Sequence, residues 1–297
     1  MRMMARAALA ALLSISLAAC SDDDSSGTPD GGGATHPSCP GTHDAARQLC
    51  TIQAPASSPI VKDYTLKKGI TYVLDGTVFF GDDKQRSTLT IEAGTRIVGI
   101  TGEAKKSALV IQRHAQIFAN GTPTDPIVFT SAADPGTRAP GDWGGLVING
   151  LAPVNGCAAG TSPCELAGEG ETGTYGGDRP DDNSGVIKYV QIQFAGVKLT
   201  PKKEFNGIAL QGVGSGTTIH HVQIHRASDD SVEFFGGTAQ MKYVLATGCE
   251  DDIFDWTNGW TGKVQFFIGH QSGAGDHGIE ADNLEDNHDA APRANPT

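Results

Sequence analysis

Thirteen Asp and Glu residues lie between Asp229 and Asp289, against two bases, Lys242 and Lys263. Carboxylates at that density suit two kinds of chemistry. They can hold a hard cation such as Ca²⁺, which takes six to eight oxygen ligands. They can also work in pairs on a glycosidic bond, about 5–5.5 Å apart for retention or about 6.5–9.5 Å apart for inversion. An internal repeat orders them. HHVQIHRASDDSVEFFGG at 220–237 aligns with KYVLATGCEDDIFDWTNG at 242–259, setting Asp229 on Asp251, Asp230 on Asp252 and Glu233 on Asp255. A third copy, VQFFIGHQSGAGDHGIEADN at 264–283, brings Asp276 and Glu280 to the positions of Asp251 and Asp255 after a three-residue insertion. Asp229, Asp230, Asp251 and Asp252 are the candidate catalytic carboxyls. Glu233, Asp255, Glu280 and Asp276 are the candidate Ca²⁺ ligands.

If Val232, Phe254 and Ile279 face inward, strand alternation turns Glu233, Asp255 and Glu280 outward. Stacked about 4.8 Å apart, these charges repel by about 1 kcal/mol in water and several-fold more at a shielded surface. Two outcomes stay open: one or more Ca²⁺ sites, bridging to an acidic or hydroxylated glycan, or a solvated acidic face whose side chains splay apart. Neither an EF-hand loop nor a nonapeptide Ca²⁺ repeat is present.

The other reactive side chains cohere less. His220, His221, His225, His270 and His277 lack the spacing of a compact chelate and read as turn and surface histidines. Among the tryptophans, Trp256 reads as core, and Trp260 in TNGWTG is the exposed candidate for stacking on a sugar ring. Cys39 with Cys50, and Cys157 with Cys164, bracket short polar loops, so each pair suits a local disulfide in an oxidising compartment. Zinc shared by the four is the alternative, against which stands the lack of Cys-x-x-Cys spacing. Cys249 ends an apolar strand pattern and reads as a buried, inert thiol. No phosphate-cradling Gly loop and no Gly-x-Ser-x-Gly elbow occurs.

The elements that must position these groups are short strands. Gly is abundant, 39 of 297 residues, and apolar β-branched runs recur between Gly, Asn, Asp and Pro: Ile70 to Leu74, Leu89 to Ile91, Leu109 to Ile111, Ile127 to Phe129 and Leu146 to Ile148. A spacing of 18 to 20 residues from Leu89 to Leu146, and of 22 downstream, is too short for a strand-helix-strand crossover and marks a solenoid of stacked coils. Upstream, Arg2, Arg6 and the apolar run to Ala19 form an export leader. LAAC at 17–20 makes Cys20 the expected site of lipidation, since two or three acyl chains anchor stably where one is marginal. Residues 20–49 then form a flexible tether and 50–297 the folded domain. With 34 acids against 22 bases the chain repels phosphate backbones, so nucleic acid is not an expected partner.

The runs LTIEAGTRIVG at 89–99, SALVIQRHAQIFANGTPTDPIVFTS at 107–131 and GDWGGLVING at 141–150 resemble the right-handed parallel β-helix, or pectin-lyase-like, superfamily. More closely, they resemble exported and lipid-anchored β-helix proteins of Gram-negative bacteria, most without an assigned activity. The resemblance covers roughly residues 60–297 and implies an all-β, right-handed parallel β-helix. The lipobox resembles that of bacterial lipoproteins, and Ser21 after the Cys implies the outer membrane. SDD at 228–230 and GDHG at 275–278 are similar to the Asp-Asp and Gly-His-Gly of polygalacturonase-like hydrolases, but GDHG is not GHG. The Asn-Thr-Asp signature and a downstream Arg-x-Lys are missing. Similar proteins continue past Thr297, so the end reads as a truncated product or as a face covered by a partner. The expected function is recognition or adhesion through glycan or Ca²⁺, with polysaccharide cleavage second and an envelope scaffold third.

Overall fold

The computed structural model describes residues 36–102, 107–200, 203–271, 273 and 275–297. Cys20 lies outside them. The described chain is a parallel β-helix in which two sheets wind together. The larger holds β1 (Thr42–Asp44), β2 (Leu49–Ile52), β3 (Tyr64–Leu66), β4 (Thr71–Leu74), β6 (Ser87–Ile91), β7 (Arg96–Gly99), β9 (Ala115–Asn120), β10 (Ile127–Ser131), β14 (Gly185–Gln193), β18 (Thr218–His225), β20 (Gln240–Thr247) and β22 (Lys263–His270). The smaller holds β5 (Thr77–Phe80), β8 (Ala108–Ile111), β11 (Gly145–Asn149), β17 (Ile208–Gln211), β19 (Val232–Phe235) and β21 (Phe254–Thr257). Two antiparallel hairpins sit outside the coils: β12 (Leu166–Ala167) with β13 (Thr174–Tyr175), and β15 (Lys198–Thr200) with β16 (Lys203–Glu204).

The repeat sets the register. Val222 pairs with Val244, and Glu233 with Asp255, as parallel neighbours 22 residues apart. Inside the coil, like positions stack into columns: Ile187, Ile219 and Met241; Val190, Val222 and Val244; Val232 and Phe254, all buried. Each such side chain contributes roughly 1.5–3 kcal/mol when taken fully from water. The alternation that buries them turns their neighbours outward.

The coil turns corners on single left-handed residues. In the earlier coils β9 and β10 are separate strands joined through residues 121–126. β14 spans both, with Gly185 to Lys188 pairing β9 and Val190 to Ile192 pairing β10. Tyr189 between those stretches has φ 48° and makes the corner alone. His221, Tyr243 and Phe266 repeat it at φ 55°, 56° and 60°.

The cysteines are joined as Cys39–Cys50 and Cys157–Cys164, each with Cα atoms 5.6 Å apart, and Cys249 is a buried free thiol whose pKa burial pushes up. At the last described coil, residues 276–282 run beside β21 through Glu280 N–H to the Phe254 carbonyl and Asp282 N–H to the Trp256 carbonyl. Ile279, expected inside the coil, is instead 61% exposed, because no described coil stacks over it. Among the described residues no helix is long and apolar enough to cross a membrane.

Candidate functional site

Each late coil delivers acids twice to the outer side of the smaller sheet. The turn before β19 carries Asp229 and Asp230, and the strand carries Glu233. The turn before β21 carries Asp251 and Asp252, and the strand carries Asp255. A backbone link ties successive turns: Asp230 Oδ1 accepts the Asp252 N–H at 2.9 Å, and Asp252 Oδ1 accepts the His277 N–H at 2.6 Å. These aspartates therefore hold the coils in register as well as presenting charge.

The acids form one contiguous nest. Ligand oxygens of Asp230, Glu233 and Asp255 lie within 4.8 Å of one another, as do those of Asp230, Asp251 and Asp252, and those of Glu204, Asp229 and Asp251. At the rim, Asp252, His277 and Glu280 form a fourth such group. Three of the candidate Ca²⁺ ligands thus join the nest, Glu233 and Asp255 in its interior and Glu280 at its edge. Asp276 stands apart: its side chain is 68% exposed and meets His277 at 3.7 Å. Its backbone stays on the stack, with the Asp276 N–H donating to the Asp251 carbonyl at 3.2 Å, and only the side chain turns away.

The acidic block divides: Glu250, Asp276, Glu280, Glu285, Asp286 and Asp289 are exposed, and five of the stacked acids are not. Asp229, Asp230, Glu233 and Asp255 are buried to within 9% exposure, and Asp252 to within 1%. Outward on a β-helix is not the same as exposed, because segments between coils fold over this sheet. Asn206, after the β15–β16 hairpin, donates Nδ2–H to Glu233 Oε2 at 2.6 Å. Glu204 hydrogen-bonds Asp229, and the charge of Glu169, from a 3-10 turn at Glu169–Glu171, is felt at Asp229 and Glu233. Val197 and Phe205 continue the cover over Phe79, Val110 and Val147 as a second apolar cluster.

Burial among other carboxylates drives these carboxyls toward their neutral forms. Burial first, then the hydrogen bond to Glu204, pushes Asp229 up to about 10; burial, then the Asp255 charge, pushes Asp230 up to about 9. Glu233 is held well above the carboxylate range by burial and by Asp255 and Asp230. Asp255 rises to about 6 through burial, with its hydrogen bond to Glu233 pulling the other way. At the rim, Glu280 rises to about 7 through its hydrogen bond to Asp252 and burial, while Asp276 and Asp252 raise His277. Among the described residues no Lys or Arg ion-pairs with Asp229, Asp230, Glu233, Asp252 or Asp255.

Two buried oxygens are left over. Asp255 Oδ1 and Asn206 Oδ1 are shielded from solvent and have no hydrogen-bond partner. An orphaned buried acceptor costs about 1–3 kcal/mol, more when charged, and a hard cation satisfies several at once. The donor set is all carboxylate and amide oxygen, as Ca²⁺ requires. The residues present fit that ion.

The tryptophan expectation is overturned. Trp260 is 1% exposed, stacked on Phe234 with centroids 4.2 Å apart, and its Nε1–H donates to the Ala239 carbonyl at 3.1 Å. Asn258 and Gly259, at φ 51° and 77°, fold TNGWTG inward. Trp143 is buried likewise, with Nε1–H donating to the Gln193 carbonyl. Neither offers a face to a sugar. Glu204, Glu169 and Asn206 were invisible to the repeat, since they come from segments between coils that have no counterpart in it. The positional signal available was the long loop around Pro201 to Phe205 preceding the acidic rungs.

Comparison with known proteins adds the frame for this site. Residues 58–297 match one family model, described as a pectate-lyase like beta helix domain. No curated protein and no solved structure matches the chain.

Proposed function

The chain belongs to the pectate-lyase-like β-helix family, and from that premise we propose that it is a non-catalytic recognition module of the cell envelope whose acidic rungs hold Ca²⁺. The single observation that carries this reading is the nest of buried carboxyls around Asp230, with Asp255 Oδ1 left unpartnered. A glycosidic bond must reach a catalytic carboxyl directly, and Asp229, Asp230 and Asp252 lie under cover. A desolvated ion fits where a polymer does not. The leader and LAAC at 17–20 support attachment to a membrane through Cys20, and Ser21 favours the outer membrane of a Gram-negative cell.

Titration calorimetry with Ca²⁺ tests the reading. Binding heat is expected for the wild type, with affinity reduced by tenfold or more in Glu233→Gln and in Asp255→Asn. Absence of heat in the wild type ends the Ca²⁺ reading. Polysaccharide hydrolysis or cleavage is the second reading, and Glu280 favours it: an accessible carboxyl held near 7 is suited to give up a proton at neutral pH. Incubation with polygalacturonate is expected to release neither reducing ends nor unsaturated products. Release that disappears on Glu280→Gln or Asp230→Asn would put catalysis first.

A further inference from the structure

The chain is acidic overall, yet one of its longest faces carries no acid. β14, β18, β20 and β22 read GVIKYVQIQ, TIHHVQIH, QMKYVLAT and KVQFFIGH, without an Asp or Glu among them. Their outward positions stack in columns. Lys188, His220, Lys242 and Gln265 form one column; Gln191, Gln223, Leu245 and Ile268 form another; Lys263 follows Gln240. Between the first two columns runs the corner ladder of Tyr189, His221, Tyr243 and Phe266. Of the five large hydrophobic side chains exposed among the described residues, four lie on this face: Tyr243, Leu245, Phe266 and Ile268, at 42%, 38%, 57% and 65%. Scattered exposed apolar residues are ordinary, whereas a contiguous set marks an interaction surface.

The ring geometry narrows what that surface meets. Centroids are 4.5 Å apart between Tyr189 and His221, 4.6 Å between His221 and Tyr243, and 5.0 Å between Tyr243 and Phe266. Interplanar angles are 31°, 33° and 10°. Each ring packs on its neighbour along the helix axis, tilted at the first two steps and stacked at the third, so His221 and Tyr243 each lie between two rings. Sugar rings stack on aromatic faces, and His221 and Tyr243 have ring neighbours on both sides. The Lys242 ammonium lies 5.0 Å from the Tyr243 centroid and 5.5 Å from that of Phe266. A groove of about 790 Å³ beside the ladder is lined by His220, Lys242, Tyr243, Lys263 and Gln265, with no Asp or Glu side chain in its wall. Aromatic residues at a left-handed φ cost roughly 1–3 kcal/mol each relative to relaxed backbone, and four in register make this ladder a held feature.

We propose that this face docks on an anionic lipid surface, with Leu245, Ile268 and Phe266 entering the headgroup boundary and Lys188, Lys242 and Lys263 meeting lipid phosphates. Aromatic rings and apolar tips flanked by Lys are what the membrane interface selects. Charge fixes the orientation: β14, β18, β20 and β22 carry Lys and His without an acid, whereas the exposed acids Glu250, Asp276, Glu285, Asp286 and Asp289 lie outside these strands, so an anionic bilayer attracts this face and repels those. The proposal depends on neither the Ca²⁺ reading nor the acyl anchor expected at Cys20.

Flotation with lipid vesicles tests it, using residues 33–297, the compact unit that contains every strand and every core side chain among the described residues. Vesicles of phosphatidylcholine with phosphatidylglycerol are expected to carry the protein at low salt, and vesicles of phosphatidylcholine alone to carry far less. The double reversal Lys188→Glu with Lys242→Glu is expected to lower partition about twenty-fold or more, since each Lys near an anionic surface contributes about five-fold. Leu245→Asn with Ile268→Asn is expected to lower it while leaving the Tm unchanged, which separates docking from folding. No partition into the anionic vesicles, equal partition into both kinds, or wild-type partition by the lysine variant overturns the proposal. Binding to a soluble anionic polysaccharide in place of vesicles also overturns it, and assigns the face to a glycan.

Discussion

Ca²⁺ added to chelator-treated protein is expected to raise its Tm by about 5–10 °C at pH 8 when present at a hundredfold excess over Kd, and by much less at pH 5. Saturation at that level is worth about 2.7 kcal/mol, and a domain of this size shifts by about 2–4 °C per kcal/mol. The pH dependence follows from the nest. Asp229 and Asp230 have folded-state pKa values near 10 and 9, and Glu233 is raised with them, all above the roughly 4 of the unfolded chain. Between those limits the folded state binds more protons than the unfolded state, so stability falls as pH rises from about 4 towards 9–10. Each retained proton contributes up to about 1.4 kcal/mol per pH unit. The chelated protein is therefore most stable on the acid side, and Ca²⁺ replaces the protons as they leave.

Glu233→Gln supplies the control. It removes one ionisable group while keeping the shape and the hydrogen bond available to Asn206. In chelator its Tm is expected to fall less steeply with pH than that of the wild type, and Ca²⁺ is expected to restore little. Differential scanning calorimetry from pH 5 to pH 9, with and without Ca²⁺, reads both slopes. A Tm indifferent to Ca²⁺ at pH 8, or a chelated protein that grows more stable with rising pH, contradicts a nest of this kind.

Trp260→Ala is expected to cost about 3–5 kcal/mol, the range for emptying a large aromatic site in a core. The indole packs on Phe234 and Phe254, and removing it leaves the Ala239 carbonyl without its Nε1–H donor. Urea unfolding reads the loss as a lower midpoint at unchanged slope. Ligand binding per mole of folded protein stays as in the wild type, because the ring reaches no surface. A variant of wild-type stability with altered binding would return Trp260 to the exterior.

The two tryptophan positions illustrate what a repeat can and cannot say. Asp255 lies outward and Trp256, next to it, is half-buried against the core, as alternation along a strand requires. Trp260 falls past the strand, where direction depends on the backbone of Asn258 and Gly259 rather than on alternation. Turn residues flanked by Gly and Asn look exposed by composition. Here the turn bends into the solenoid.

The same division runs through the acidic nest. Parallel stacking is a short-range relation, since each rung meets the rung one coil later, so identical positions 22 residues apart disclose their contact in the sequence. Asp229 with Asp251, Asp230 with Asp252 and Glu233 with Asp255 were legible for that reason. Their burial was not. Glu204 and Asn206, which hydrogen-bond Asp229 and Glu233, lie in segments without repeat partners and reach the sheet only through the folded chain. A period assigns a side chain to the outside of a coil, and what lies beyond that outside is decided by the loops. That difference turns a row of solvated charges into carboxyls that keep protons far above their usual range.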